Sequence, residues 1–231
     1  MPRHIAIVED EPSIRENYAD LFTRQGYQVS AFTGREQAQR AFEQQLPDLA
    51  ILDIGLNDEI DGGFELCRYL RARSETLPII FLTARDSDFD TIAGLRLGAD
   101  DYLTKDVSLH QLSARVAALF RRIQALQNSL LEEQNPQIKT ADLCLDMDQL
   151  GATWCGQDLA LTVTEIWILH ALAKHPGHVR SRDQLMEAAN TYVDNATITS
   201  HIKRLRRKFQ QIDANFDHIE AVYGAGYRWK G

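Results

Sequence analysis

The chain is expected to fold as a doubly wound α/β domain joined to a smaller α+β domain. Three observations predict this. Five short apolar runs alternate with helical patterns in the first half, the third of them ends on a lone carboxylate, and near the end a basic helix precedes a glycine-tipped hairpin pattern. At 231 residues the chain has room for two domains of about 100–150 residues, each with its own core.

In order, the apolar runs read as strands at His4–Val8, Tyr27–Phe32, Asp48–Ile54, Pro78–Thr83 and Asp101–Thr104. The segments between them are amphipathic, as in Ile14, Tyr18, Leu21 and Phe22, with Pro12 suited to a first turn. Strands interleaved with helices predict a parallel sheet of five strands, flavodoxin-like in connectivity. Such sheets collect their working residues at the carboxyl ends of the strands. Here those ends carry Glu9 and Asp10, then Asp53, then Thr83, and the fifth strand is followed by Lys105.

By itself Asp53 suits a metal ligand, a nucleophile or a helix cap. Three carboxylates meeting at one edge repel and raise one another's pKa values. A hard divalent cation relieves that repulsion, and an all-oxygen site suits Mg²⁺. Beside such a cation a carboxylate can attack a phosphoryl group, with a Thr hydroxyl and a Lys ammonium meeting its oxygens. The plainer reading makes Asp10 a cap and pairs Lys105 with a surface acid. It suffices for any one residue, but five polar groups at four strand ends outweigh it.

From Val107 to Asn135 there is neither Gly nor Pro, and Leu112, Val116, Leu119, Ile123, Leu126 and Leu130 recur at heptad spacing. Two expectations stand side by side. The fifth helix stops near Arg122 and a linker follows, or it continues to about Glu133 and two copies pair along the seam. Domain limits are set at 1–122 and 137–231, with 123–136 between them.

In the second half, Leu143–Asp146 and Ala152–Trp154 read as short strands. Thr162-Val163-Thr164-Glu165 is a capping-box pattern opening a helix to about Lys174, and Ser181 caps another over Arg182–Ala189. A third helix, about Ala196 to Gln211, has the apolar stripe Ile198, Ile202, Leu205 and Phe209. The rest of its circumference carries Ser200, His201, Lys203, Arg204, Arg206, Arg207 and Lys208. A basic helix followed by the hairpin pattern Ile219–Trp229, with Gly224 and Gly226 at its tip, predicts a winged helix. Basic side chains on such a helix suit a DNA major groove; a merely solvated face is the plainer alternative. His201 is expected to pack or bond backbone rather than bind metal.

Both halves resemble a known family. Val8-Glu9-Asp10-Glu11, Leu52-Asp53, Leu82-Thr83-Ala84-Arg85 and Leu97–Lys105 resemble the receiver domain of two-component response regulators. Leu161-Thr162, Glu165, Ser181-Arg182, Ser200–Lys208 and Gly224–Tyr227 resemble the DNA-binding domain of its OmpR/PhoB branch. The resemblance implies that Asp53 accepts a phosphoryl group from a sensor histidine kinase. It implies Mg²⁺ held by Asp10, Asp53 and the Gly55 carbonyl with Glu9 behind them, phosphoryl contacts from Thr83 and Lys105, and Tyr102 as the switch aromatic. It also implies double-stranded DNA as partner, as a direct repeat, with Ser200 and Arg204 facing bases and Lys203 and Arg207 touching phosphate. Tyr223 stands where an Arg often enters the minor groove. A homodimer of the phosphorylated form, with Asp101 and Arg115 available on its face beside Ile123, Leu126 and Leu130, and contact with RNA polymerase follow from the same resemblance.

Two departures stand out. Gly55–Gly63 lacks the family's proline and reaches Gly63 ten residues after Asp53 instead of eight, which predicts a longer, more flexible and more acidic loop. Asp106 replaces a proline whose peptide bond is normally cis; a non-proline cis bond costs about 2.5–4 kcal/mol, so a trans bond is expected, and with it a question over where the Lys105 ammonium sits.

The net charge of −8 is uneven. Residues 1–122 hold 20 acids and 14 bases, a difference of −6, whereas 137–231 hold 11 of each. An acidic chain therefore leaves a nucleic-acid partner open, because the basic helix is local. No apolar run reaches the roughly 18 residues of a membrane span. The acidic start argues against a signal peptide, and three cysteines without ligand spacing argue against a disulfide framework. The expected setting is cytoplasmic, with no membrane partner. Two other functions remain: a regulator that works without phosphorylation, and an Mg²⁺-dependent hydrolase with Asp53 as nucleophile.

Overall fold

The computed structural model describes residues 2–85, 87–128, 137–189 and 195–230. The chain divides into two compact units, 1–117 and 118–231.

In the first unit β1 (His4–Val8), β2 (Gln28–Phe32), β3 (Leu49–Leu52), β4 (Ile79–Thr83) and β5 (Asp101–Thr104) form one sheet in the order β2-β1-β3-β4-β5. All four pairings are parallel. The helices α1 (Pro12–Arg24), α2 (Arg35–Gln44), α3 (Gly62–Arg71), α4 (Asp88–Leu97) and α5 (Leu109–Asn128) alternate with the strands as expected. β1, β3 and β4 are the central strands and are buried almost throughout, which is why they read as unbroken apolar runs rather than alternating ones. Leu49, Ala50, Leu52, Ile79, Ile80 and Phe81 are fully inaccessible. Burying each large aliphatic side chain is worth about 1.5–3 kcal/mol, so the central strand ends are the stiffest positions from which to project polar groups.

α5 continues past Arg122 to Asn128. Residues 129–136, and the side chains of Leu126 and Leu130 on which the seam depends, lie outside what is described; Ile123 is half-buried.

The second unit holds an antiparallel sheet of β6 (Gln137–Lys139), β7 (Leu143–Asp146), β8 (Gly151–Trp154) and β9 (Gln157–Asp158). β6 and β9 were not expected: at three and two residues they are too short to carry a period. Then come α6 (Val163–Ala173), α7 (Arg182–Ala188), α8 (Asn195–Ile212) and the hairpin β10 (Ile219–Val222)–β11 (Gly226–Trp229). Thr162 and Ser181 both close capping boxes, with Glu165 and Gln184 reaching back. The hairpin is fixed to the segment before α7 by reciprocal backbone bonds between Arg180 and Tyr227, 2.7 and 2.9 Å. Gly226, at φ 142, allows that approach; a Cβ there would lie 2.0 Å from the Arg180 carbonyl oxygen. Trp154 anchors the core, meeting Phe209 and Phe216 edge-on at 5.3 and 5.2 Å. Among the described residues no helix is long and apolar enough to cross a membrane.

Candidate functional site

Glu9 and Asp10 follow β1, and Asp53 follows β3, its direct neighbour in the sheet. Register alone therefore brings the three acids together, and oxygens from all of them lie within 4.8 Å of one another. Glu9 and Asp53 are buried, at 2% and 7% exposure. Asp53 Oδ1 accepts from the Ile54 amide at 2.6 Å, and Oδ2 accepts from Lys105 Nζ at 2.6 Å. The same ammonium donates to Glu9 Oε1 at 2.8 Å. The plainer reading thus fails at both points tested: Lys105 pairs with two buried acids, and Glu11, not Asp10, occupies the cap position of α1.

Among the described residues no peptide bond is cis, so Lys105–Asp106 is trans. The Asp106 carboxylate accepts the Thr104 hydroxyl instead of disturbing the site. With this trans bond the Lys105 ammonium lies against Asp53 and Glu9.

The electrostatics favour a further cation. Burial raises the Glu9 pKa and the Asp53 charge adds to it, more than the Lys105 bond offsets. Burial alone would depress Lys105, but its bonds to Asp53 and Glu9 outweigh that and its pKa rises. Three carboxylates meet here, and the one ammonium beside them pairs with only the two buried ones, Glu9 and Asp53. An all-oxygen donor set short of positive charge fits a hard dication such as Mg²⁺. Glu9, Asp10 and Asp53 are the residues that would hold it; Gly55 starts the adjoining loop and is half-buried. Arg15 Nη1 ties the Glu9 and Asp10 carbonyl oxygens together at 2.9 and 3.0 Å.

Thr83 ends β4 and is buried; its Oγ1 accepts from the Arg85 amide at 3.3 Å. Tyr102 on β5 faces inward, with 8% exposure, and its hydroxyl donates to the Arg85 carbonyl oxygen at 3.0 Å. Both groups expected to act as a switch are therefore bonded to one residue. Arg85 was not among the residues expected to act, although its place two residues after Thr83 was a usable signal.

The loop after Asp53 corrects one expectation. It is longer, but it is folded. Leu56 and Glu59 exchange backbone hydrogen bonds at 3.0 and 2.9 Å around Asn57, which takes a positive φ of 52, and this tight turn absorbs the extra length. The Asn57 amide donates to Asp10 Oδ2 and its side chain donates to the Thr33 carbonyl oxygen, both at 2.9 Å. Glu59 pairs with Arg35 at 2.5 Å. Of the loop's acids, Glu59 and Asp61 are thus engaged by arginines and not left to burden the site. Gly63 matches the expected glycine, since a Cβ there would lie 1.9 Å from the Asp53 carbonyl oxygen.

Asp101 and Arg115, expected as available charges on a dimer face, pair with each other at 3.2 Å, and Asp101 is 3% exposed. Asp101 opens β5 and Arg115 lies on α5, so the pair closes within the chain.

In the second unit the basic helix divides. Lys203 and Arg207 point to solvent, and Tyr223 stands fully exposed at the hairpin tip. Arg204 was expected to face bases, yet it is 3% exposed and its Nε donates to the buried Glu165 carboxylate. Ser200, expected beside it, is also buried, at 6%. Lys208 reaches Glu165 Oε2 at 2.7 Å, and Arg206 donates to the Ile219 carbonyl oxygen at 3.0 and 2.8 Å. The physical reason is Glu165, a carboxylate in the core that requires cations. Burial raises its pKa, but Arg204 and Lys208 outweigh that and bring it down to about 2. His201 is buried, with Nδ1 3.2 Å from Arg204 Nη2, a packed residue as expected.

Comparison with known proteins agrees with both units. Residues 5–117 match the family "Response regulator receiver domain", and 156–229 match "Transcriptional regulatory protein, C terminal". The chain is 36% identical to the transcriptional regulatory protein CreB of Escherichia coli K12, over 97% of this chain and 96% of that one. It is 37% identical to BaeR of Escherichia coli O6:H1, over 98% and 92%. It is 36% identical to the alkaline phosphatase synthesis transcriptional regulatory protein PhoP of Bacillus subtilis, over 99% and 97%. Among solved structures, a RitR mutant aligns with a TM-score of 0.76 at 21% identity, covering 99% of this chain and 100% of that one, a likeness of fold. DrrB, a Thermotoga maritima OmpR/PhoB homolog, aligns at 0.50 and 26% identity over the full length of both.

Proposed function

Because the chain belongs to the OmpR/PhoB family of two-component response regulators, we propose that Asp53 is the phosphoacceptor through which a sensor histidine kinase controls it. It is a DNA-binding transcriptional regulator of the phosphorylation-activated class, not a conventional enzyme. The observation that carries the Asp53 assignment is the Lys105 ammonium bridging Asp53 and Glu9 at 2.6 and 2.8 Å. A carboxylate oxygen of Asp53 attacks phosphorus, the bond to the donor's nitrogen breaks, and the acyl phosphate remains on Asp53. Lys105 and the Thr83 hydroxyl meet the phosphoryl oxygens, whose charge is about −1.5 to −2. Glu9, Asp10, Asp53 and the Gly55 carbonyl would hold Mg²⁺, which would supply positive charge against the incoming phosphoryl group. Tyr102 and Thr83 act as the switch. Incubation with acetyl phosphate and Mg²⁺ tests this: one acyl phosphate on Asp53, absent from Asp53→Asn, is expected, whereas rapid multiple turnover would assign a hydrolase. Equal operator affinity with and without phosphodonor would assign a phosphorylation-independent regulator.

For the output domain, taken as 137–231 against 1–122 for the receiver, the reading is double-stranded DNA bound as a direct repeat. Lys203 and Arg207 contact phosphate and Tyr223 approaches a groove from the hairpin tip, supported by their exposure. Arg204 and Ser200 are not included. The phosphorylated form pairs as a homodimer through a seam of Ile123, Leu126 and Leu130, in the cytoplasm, and acts on RNA polymerase. Unchanged dimerisation after Leu126→Ser and Leu130→Ser would remove the seam. Within the family, residues 1–10 and 53–67 resemble the response regulator of the proteobacterial dedicated sortase system; a sortase-promoter reporter that ignores deletion of this chain's gene would dismiss that closer assignment.

A further inference from the structure

Asp61 occupies the cap position of α3 but makes no capping hydrogen bond. An Asp there ordinarily accepts an amide of the first turn, worth about 1 kcal/mol. Its carboxylate instead pairs with Arg85 Nη1 at 3.1 Å, and Arg85 Nη2 donates to the Ile60 carbonyl oxygen. Arg85 also reaches Asp90 in the first turn of α4, at 3.3 Å. The Arg85 side chain is 29% exposed and so is held against these partners rather than free in solvent. Meanwhile the backbone of the same residue donates to Thr83 Oγ1 and accepts from the Tyr102 hydroxyl. The far side of the loop is bonded to Asp10 through the Asn57 amide.

We propose that Arg85 is a positioning residue that couples the loop Gly55–Asp61 to the Thr83/Tyr102 pair, so that phosphorylation of Asp53 is expressed in that loop as well as in α4. The inference rests on the phosphoacceptor reading. A hydroxyl carries one donor and two acceptor sites, so Thr83 can donate to a phosphoryl oxygen while it still accepts from the Arg85 amide. Displacement of Thr83 toward the phosphate therefore draws Arg85 with it. The guanidinium passes that displacement to Ile60 and Asp61 on one side and Asp90 on the other. The loop's exposed apolar side chain, Ile60 at 75%, moves as part of the same strap. By linkage the coupling is reciprocal: whatever fixes the loop biases the switch.

Amide hydrogen exchange of the full chain tests this, with Mg²⁺ alone and with Mg²⁺ plus acetyl phosphate. In the unsubstituted protein, exchange at the Leu56 and Glu59 amides is expected to change by about fivefold or more on phosphorylation, the low end of ordinary coupling. In Arg85→Ala that change is expected to fall below about twofold, with acyl phosphate still forming on Asp53. Asp61→Asn, which removes the ion pair and no switch residue, is expected to reduce the response as well. An unchanged loop response in both variants, or no loop response in the phosphorylated unsubstituted protein, overturns the inference alone. Absence of any acyl phosphate overturns the phosphoacceptor reading and the inference with it.

Discussion

Glu165 decides more about the output domain than any exposed cation does. Its carboxylate is fully buried, capped into α6, and neutralised by Arg204 and Lys208. Its folded pKa of about 2 lies below the ordinary 4.5. A depressed carboxylate contributes stability that is present above its unfolded pKa and lost as pH falls through the folded one. The winged helix is therefore expected to lose on the order of 3 kcal/mol between about pH 4.5 and 2, with Glu165→Gln flattening that limb in urea titrations at stepped pH. At the cluster of Glu9, Asp10 and Asp53 the corresponding residue is Gly63. A methyl group there would meet the Asp53 carbonyl oxygen, so Gly63→Ala is expected to cost about 1–3 kcal/mol in thermal unfolding and to slow labelling by acetyl phosphate.

At the scale of elements, α8 is a helix with two uses. The cations Lys203 and Arg207 face outward, whereas Arg204, Arg206 and Lys208 hold the fold. Replacing either outward residue by Ala is expected to weaken DNA binding for all sequences and to lower the log–log salt slope by about 1. Arg204→Ala is expected to cost about 3 kcal/mol of stability, because it strands part of a buried charge, while base preference at the operator stays the same. Fluorescence anisotropy across a salt series, with denaturation of the same variants, separates the two classes. The parallel strands were legible because buried strands are written as continuous apolar runs. β6 and β9 were not, since two or three residues hold no pattern. The order of the loop after Asp53 was not legible, because its anchors, Thr33, Arg35 and Arg85, come from distant positions in the chain.

At the scale of the molecule, one chain joins a receiver unit to a DNA-binding unit. The regulator class requires that phosphorylation of the receiver unit change how the DNA-binding unit behaves. Phosphorylation is expected to raise operator affinity by about 5- to 150-fold, the range of ordinary coupling energies. Asp53→Asn is expected to hold the unphosphorylated affinity at every phosphodonor concentration. Quantitative footprinting with and without acetyl phosphate measures both.

What the amino-acid order determined by itself was the placement of Glu9, Asp10, Asp53, Thr83 and Lys105 at strand ends, because strand polarity and parallel order leave those ends at one edge of the sheet. It also determined the capping boxes, which need only three residues of spacing. Tertiary structure alone decided which charges stay at the surface and which are drawn into the fold. Arg204 turned inward because a buried carboxylate lies beside it, Asp101 took the arginine of its own chain, and Lys105 met two buried acids. Each outcome depends on which partner a charge meets once water is excluded, and that is a property of packing that no periodicity in the chain records.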